Sequence, residues 1–145
     1  MTIQFPAQRE ATTTLHALCS NIGELLAAFS TSPTAQVALC QFSDGRYVQF
    51  WAGSDVAIGE VVSNRFLDDD VRLSEDQERT LLDAGWTGPD EDSPNWHVVR
   101  RGERAHVAVA CLTVDALTRV LGYGAAHAND EVRVKTFHSS STSPA

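Results

Sequence analysis

Apolar positions early in the chain recur at the three- and four-residue spacing of an amphipathic helix. They form one continuous stripe: Leu15, Leu18, Cys19, Ile22, Leu25, Leu26 and Phe29. The stripe predicts a helix that begins at Glu10 and ends at Thr31-Ser32-Pro33, because proline cannot continue the hydrogen-bond ladder and disfavours helical angles in the residue before it. Met1–Arg9 is then expected to be a short arm.

The pattern that follows is typical of strands. Ala35–Phe50 contains Asp44-Gly45, which is the signature of a two-residue type I′ hairpin turn. This turn sets the register, and one face of the hairpin then holds three cross-strand pairs: Phe42 with Tyr47, Cys40 with Gln49, and Ala38 with Trp51. A second turn at Gly53-Ser54 leads into a third strand, Val56–Val62.

The register sorts the residues of these three strands onto two faces. On one face, small residues beside Leu39, Val48 and Phe50 leave room for a helix, and we assign this face to the helices. Its residues are Val37, Leu39, Gln41, Val48, Phe50, Ala52, Ala57, Gly59 and Val61. The other face is a mixed aromatic and polar surface with no helix left to cover it. Its candidate binding residues are Phe42, Tyr47, Gln49, Trp51 and Ile58. A slip of one residue would exchange the faces.

A second, short helix is indicated by its capping residues. Ser74 is a favourable N-cap, and Gln77 three residues later completes a capping box. The helix is expected to bury Leu81 and Leu82 and to end at Gly85.

A strand and a long apolar helix come next. Asn95–Arg100 alternates as a strand does, and the helix from Glu103 is predicted to present one stripe: Val107, Cys111, Val114, Leu117 and Leu121. Residues 1–123 are expected to form a single domain. Residues 124–145 are interpreted as a C-terminal extension with a short strand at 131–137 and a flexible Ser/Thr-rich tail.

Charge and composition exclude several classes of function. The formal net charge is −8, and the segment Asp55–Asp92 holds twelve acids against three arginines. Such a field repels phosphate backbones, which argues against a nucleic-acid partner. The chain starts without a basic, then apolar, leader, and no apolar run approaches the ~20 residues of a membrane span, so a cytoplasmic protein is expected.

No residue pattern indicates catalysis or a bound cofactor. The five histidines and three cysteines lack the spacing of a metal site, and we expect the cysteines to be buried, reduced thiols. A nucleophile elbow and a glycine-rich phosphate loop are both absent from the sequence. The three tryptophans are typical of a core or of a binding surface, and Trp51 is the best candidate for the second role.

Several ordered segments resemble actinobacterial TY-Chap domains, a group named for its likeness to type III secretion chaperones and YbjN proteins. The segments that carry this resemblance are Tyr47–Phe50, Glu60–Leu67, Leu73–Gln77, Leu81–Trp86 and Asn95-Trp96. It spans residues 15–123. The resemblance implies an α+β fold of order α-β-β-β-α-β-α, with the helices on one face of an antiparallel sheet. It also implies a peptide-binding chaperone that is not an enzyme and needs no cofactor.

Three functions are therefore compatible with the sequence. The first is a domain that holds an extended client segment on the aromatic sheet face. The second is a structural homodimer that uses this face as its own interface, and the third is a small-molecule sensor. A client segment could also add to a strand edge.

Overall fold

A computed structural model describes the backbone of residues 7–138 and the side chains of residues 9–138. Within this part of the chain there are six strands: β1 (Ala7–Thr14), β2 (Gln36–Phe42), β3 (Tyr47–Ala52), β4 (Val56–Val61), β5 (Trp96–Arg101) and β6 (Glu131–His138). The three α-helices are α1 (Leu15–Thr31), α2 (Glu75–Ala84) and α3 (Ala105–Asp115). Of the tail predicted to be flexible, which begins at His138, residues 139–145 lie outside the described residues, as do the first six residues of the predicted arm, whereas His138 is the last residue of β6.

The strands form one antiparallel sheet in the order β1-β6-β2-β3-β4-β5. Helices α1 and α3 pack side by side on one face of it, which confirms the α+β class. The predicted order α-β-β-β-α-β-α is present from α1 to α3, with β1 before it and β6 after it. The strand expected at 131–137 lies inside the sheet, between β1 and β2, so the segment set apart as an extension contributes a central strand.

The first helix begins at Leu15, where the apolar stripe begins, and not at Glu10 as predicted. Residues 7–14 form β1, and Thr14 is the N-cap of α1, where its hydroxyl accepts a 3.2 Å hydrogen bond from the Ala17 amide. Three consecutive threonines precede the helix, and their β-branched side chains favour a strand over a helical turn. The stripe itself is confirmed, because Leu15, Leu18, Ile22 and others on it are buried.

The hairpin between β2 and β3 differs from its predicted form by one residue. The loop contains three residues, because the Phe42 amide donates to the Arg46 carbonyl at 2.9 Å and the Gly45 amide donates to the Phe42 carbonyl at 3.1 Å. Gly45 takes the positive φ of +93° that ends such a loop. The predicted type I′ turn is therefore wrong, and the real pairs join Cys40 to Val48 and Ala38 to Phe50.

Because of this change of register, the side chains of β2 lie on the opposite faces from those predicted, whereas the side chains of β3 and β4 lie on the predicted faces. The residues of β2 that face the helices are Ala38, Cys40 and Phe42, not Val37, Leu39 and Gln41. On β3 and β4 the expected residues do face the helices: Val48, Phe50, Ala52, Ala57, Gly59 and Val61. A register shift of one residue exchanges the faces of a whole strand, which is the slip that the sequence left open.

Local capping chemistry sets both ends of α2. The Ser74 hydroxyl accepts from the Gln77 amide, and the Gln77 side chain accepts from the Ser74 amide at 2.8 Å, which confirms the capping box. Gly85 ends the helix at a φ of +107°. Leu81 is fully buried, but the prediction for Leu82 is wrong, since its side chain is 57% exposed.

The stripe predicted for the last helix is confirmed only at Leu117 and Leu121, which are both buried. The deeply buried positions are Ala105, Val109, Thr113, Ala116, Leu117 and Val120, whereas Cys111 is exposed and Val107 and Val114 are half-buried. The reason is close packing on β4. A Cβ atom on Gly59 would lie 3.1 Å from Val109 Cγ1 and 3.4 Å from Thr113 Oγ1. After Asp115 the chain continues as a wider, π-helical turn to Val120.

Candidate functional site

The face of the sheet that points away from α1 and α3 has no helix over it in the described part of the chain. We call it the open face. Strands β2 to β6 each contribute three residues to it: Val37, Leu39, Gln41; Tyr47, Gln49, Trp51; Val56, Ile58, Glu60; His97, Val99, Arg101; Arg133, Lys135, Phe137. Most of these side chains are half-buried, and Val99 is 41% exposed. The alternation with fully buried neighbours is that of a sheet with one covered and one uncovered side.

An apolar row crosses the open face from one side to the other. Its five members are direct cross-strand neighbours: Phe137, Val37, Trp51, Ile58 and Val99. Leu39 adjoins the row on β2, two residues from Val37. Because strands lie ~4.8 Å apart, the row is roughly 19 Å long. Contiguous apolar patches on a protein surface often mark a site that binds another chain when they are large.

A shallow depression of about 300 Å³ lies in the middle of this row. Val37, Trp51 and Ile58 form its apolar wall, and Gln49 and Glu60 form its polar side. Among the described residues that line the depression, Glu60 is the one that carries a charge. The cavity is therefore apolar, with one carboxylate at its border.

A small polar network surrounds that carboxylate. The Asn95 side chain is buried, and its Nδ2 donates to Glu60 Oε1 at 3.5 Å and to the Tyr47 hydroxyl at 3.2 Å. Asn95 Oδ1 accepts from the Ser63 amide at 3.1 Å. The network anchors Tyr47 at the polar end of the open face, where its ring is half-buried.

The acid-rich segment Asp55–Asp92 contributes little to this face. Of its twelve acids, only Glu60 lies on the open face as defined above; the others are in turns, in α2 and in the loop before β5. Arg101, Arg133 and Lys135 give the open face basic groups as well, and Arg133 pairs with Glu10 at 3.0 Å. The strong negative field of the chain thus lies around the sheet rather than on the apolar row.

Four of the five candidate residues lie together on the open face: Tyr47, Gln49, Trp51 and Ile58. The placement of Phe42 on this face is wrong. Its side chain points to the helix side, is 8% exposed, and stacks on Tyr123 with ring centroids 4.7 Å apart. The three-residue loop is the physical reason, because it reverses the alternation along β2.

The sequence interpretation missed several members of the apolar row. The predicted register places Val37 and Leu39 on the helix side, whereas the real register places them on the open face. Val99 and Phe137 join the row only through the pairing of β5 with β4 and of β6 with β2. Alternation of apolar and polar residues within Trp96–Arg101 and Glu131–His138 indicates two strands. The alternation does not show that Val99 and Phe137 share a face, because that depends on contacts between residues distant in sequence.

The tryptophans divide between core and surface. Trp86 and Trp96 are almost fully buried, at 2% and 4% exposure, and Trp51 is half-buried on the open face. The indole Nε1 atoms of Trp86 and Trp96 have no hydrogen-bond partner among the described residues. These two side chains therefore belong to the core, and Trp51 is the one tryptophan that a partner can reach.

The three thiols are free, but they are not equally buried. Burial raises the pKa of the Cys40 thiol to about 12, with a smaller contribution from the nearby Cys19. Burial also raises the pKa of Cys19. Cys111 is exposed, so the expectation that all three are buried is wrong for this residue.

Between residues 7 and 138, no group of three or more His, Cys, Asp or Glu side chains is arranged to hold a metal ion. In the same range, no helix combines the length and apolar character needed to cross a bilayer.

Comparison with known proteins identifies a family. Residues 12–133 match the model of the family described as TY-Chap3, T3SS (YopN, CesT) and YbjN peptide-binding chaperone 3. No curated protein and no solved structure gave a match. The matched range includes all three helices and extends from the middle of β1 into β6. The chain belongs to the TY-Chap3 family of peptide-binding chaperones.

Proposed function

We propose that this protein is a non-enzymatic chaperone that holds an extended segment of a client protein on the open face. The observation that carries the proposal is the apolar row, which crosses five strands and has no helix over it in the described residues. Family membership supports a peptide-binding, chaperone-like role. The contact residues that we propose are Tyr47, Gln49, Trp51 and Ile58.

The chemistry of the face suits a peptide. Trp51 and Ile58 offer a large apolar area next to the depression, and aromatic side chains of this kind contribute much of the binding energy at protein interfaces. Gln49 lies directly beside them with amide donors and acceptors for a client backbone. A peptide that covers this area removes apolar surface from water, at about 25 cal/mol per Å².

A homodimer is the second candidate, and the same apolar row favours it. Two copies that cover each other's open face would bury the row without a client. Sedimentation over a concentration series separates the two functions. A protein that stays monomeric at high concentration removes the homodimer, and a dimer that dissociates when Trp51 is replaced supports it.

The client-binding proposal is tested by affinity capture from a lysate of the native cells, with wild type and Trp51→Ala as baits. A client should be captured by wild type and lost from Trp51→Ala. Phe66→Ala is the matched control, because Phe66 is also an exposed aromatic residue, at 53%, but lies in a turn after β4. Thermal unfolding of each bait must show that the fold is intact. If Trp51→Ala captures the same client as wild type, the open face is not the binding surface.

A further inference from the structure

We infer that Glu60 makes the open face selective for client segments that carry a basic side chain two residues from a large apolar one. This inference rests on the proposed function, since it specifies the peptide chemistry that the open face recognises. It follows from the position of one carboxylate, beside Gln49, on the polar side of a mainly apolar depression.

The spacing comes from β4. Ile58 and Glu60 are two residues apart on the same strand and face the same side, which places them about 6.6 Å apart along the strand. Trp51 is the direct cross-strand neighbour of Ile58, and Gln49 is the neighbour of Glu60. The depression thus has an apolar end at Trp51 and Ile58 and an acidic side at Glu60.

The carboxylate of Glu60 has no strong partner of its own. Its contact with Asn95 Nδ2, at 3.5 Å, is at the limit of a hydrogen bond. Among the described residues, no arginine, lysine or histidine nitrogen lies within 4.0 Å of it. His97, which is opposite on β5, has its Nδ1 3.0 Å from the Asn95 carbonyl oxygen. Glu60 therefore forms no ion pair with the described residues.

A client on the depression changes the environment of this charge. The peptide displaces water from a half-buried carboxylate, and the desolvation is unfavourable if the peptide offers no compensating group. A lysine or arginine of the client restores a charge partner, whereas a glutamate adds repulsion. Selectivity then arises from rejection of acidic segments as well as from attraction of basic ones.

The geometry of an extended peptide determines where in the client sequence the basic side chain must lie. In an extended chain, side chains i and i+2 face the same side and repeat at the same rise as those of β4. An apolar side chain at i can therefore contact Trp51 and Ile58 while a basic side chain at i+2 or i−2 reaches Glu60. A basic side chain at i+1 or i−1 points away from the sheet.

Fluorescein-labelled synthetic peptides test the inference by anisotropy titration against the full chain. Each has a threonine-rich background and one central leucine. Lysine is placed at i+2 or i−2 in the first set and at i+1 or i−1 in the second, which has the same composition. The third set carries glutamine at i+2 or i−2, and the fourth carries glutamate there.

Wild type should bind the better peptide of the first set about fivefold more tightly than the second or third set, as expected for one partly exposed ion pair. Glu60→Gln should nearly abolish this preference while the affinity for the glutamine peptides is retained. Glu60→Lys should reverse the preference, so that the glutamate peptides bind more tightly than the lysine peptides. Trp51→Ala should lower the affinity for every peptide. Equal binding of the first three sets by wild type overturns the selectivity while the proposed function stands. If wild type binds none of the peptides, both the function and the inference are wrong.

Discussion

The hydroxyl of Tyr123 donates a 2.6 Å hydrogen bond to Asp44 Oδ2, which joins the β2–β3 loop to the segment that follows α3. The ring of Tyr123 also stacks on Phe42, and Arg46 Nη1 donates to the Leu121 carbonyl at 3.4 Å. The loop is thereby fixed to the end of the helical layer. These contacts favour the register in which Phe42 faces the helices and leaves Tyr47 and Trp51 on the open face.

Removing this hydrogen bond should lower stability without disturbing the aromatic packing. We expect Tyr123→Phe to reduce the free energy of unfolding by about 1 kcal/mol, since the bond is charge-assisted but Asp44 is exposed to water. Urea denaturation at neutral pH measures the change. Tyr47→Phe is the matched control, and it should cost less, because the Tyr47 hydroxyl makes only longer contacts of 3.2 and 3.4 Å with Asn95. Equal losses for the two variants would contradict this account.

The same residue predicts a loss of stability at alkaline pH. Burial raises the pKa of Tyr123 above its ordinary value of 10.0, and the hydrogen bond and charge of Asp44 raise it further. Above pH 10 the unfolded chain releases this proton while the folded chain retains it, so the free energy of unfolding falls as pH rises. Tyr123→Phe should show a shallower decline than wild type between about pH 9 and about pH 11. An unchanged slope would show that Tyr123 does not titrate differently in the folded state.

Elements defined by local chemistry could be predicted from the sequence. The α1 stripe depends on spacing alone, and the ends of α2 depend on Ser74, Gln77 and Gly85, which act within a few residues of one another. The predicted start at Glu10 is wrong because it ignores a good N-cap at Thr14, which directly precedes Leu15, the first position of the apolar stripe. The order and type of the elements from α1 to α3 can therefore be predicted from the sequence, but the residues at which each element begins and ends are predicted less accurately.

The hairpin register required information that is not local. Asp44-Gly45 correctly marks where a positive φ is needed, but the same dipeptide can end a three-residue loop as well as form a two-residue one. The outcome depends on Phe42 packing against Tyr123, a contact between residues 81 positions apart in the sequence. The candidate site was predicted where β3 and β4 carry it and missed where β2, β5 and β6 complete it.

The three-residue loop gives a direct test at Gly45. Alanine there must adopt a φ near +93°, which is unfavourable for any L side chain, although a Cβ atom would meet no neighbour within 4 Å. We expect Gly45→Ala to lower the free energy of unfolding by about 1 kcal/mol. Gly124→Ala is the control, because Gly124 has equal space but a φ of −84°. A neutral Gly45→Ala would mean that the loop has another conformation.

Close packing of α3 on the sheet makes Gly59 intolerant of a side chain. A Cβ atom at this position would lie 3.1 Å from Val109 Cγ1 and 3.4 Å from the Trp86 ring, on the buried side of β4. We expect Gly59→Ala to cost about 1–3 kcal/mol through overpacking, measured by urea or thermal unfolding. Gly23→Ala is the control variant, because it introduces the same side chain at a position with more space. Gly23 is exposed on α1 with only Ala110 Cβ at 3.9 Å, so alanine should stabilise by up to about 1 kcal/mol. If both variants behave alike, α3 does not approach β4 this closely.

The thiols should react at very different rates. Thiolate is the reactive form, and the raised pKa of about 12 keeps the buried Cys40 protonated at neutral pH, while burial also protects Cys19 in part. Cys111 is exposed on α3. A disulfide reagent such as dithiobis-nitrobenzoate should therefore label one thiol per chain rapidly, and Cys111→Ser should remove that fast phase. Cys19→Ser is the matched control and should leave it in place. Rapid labelling of the Cys111→Ser variant in native buffer would contradict the burial of Cys40 and the partial burial of Cys19.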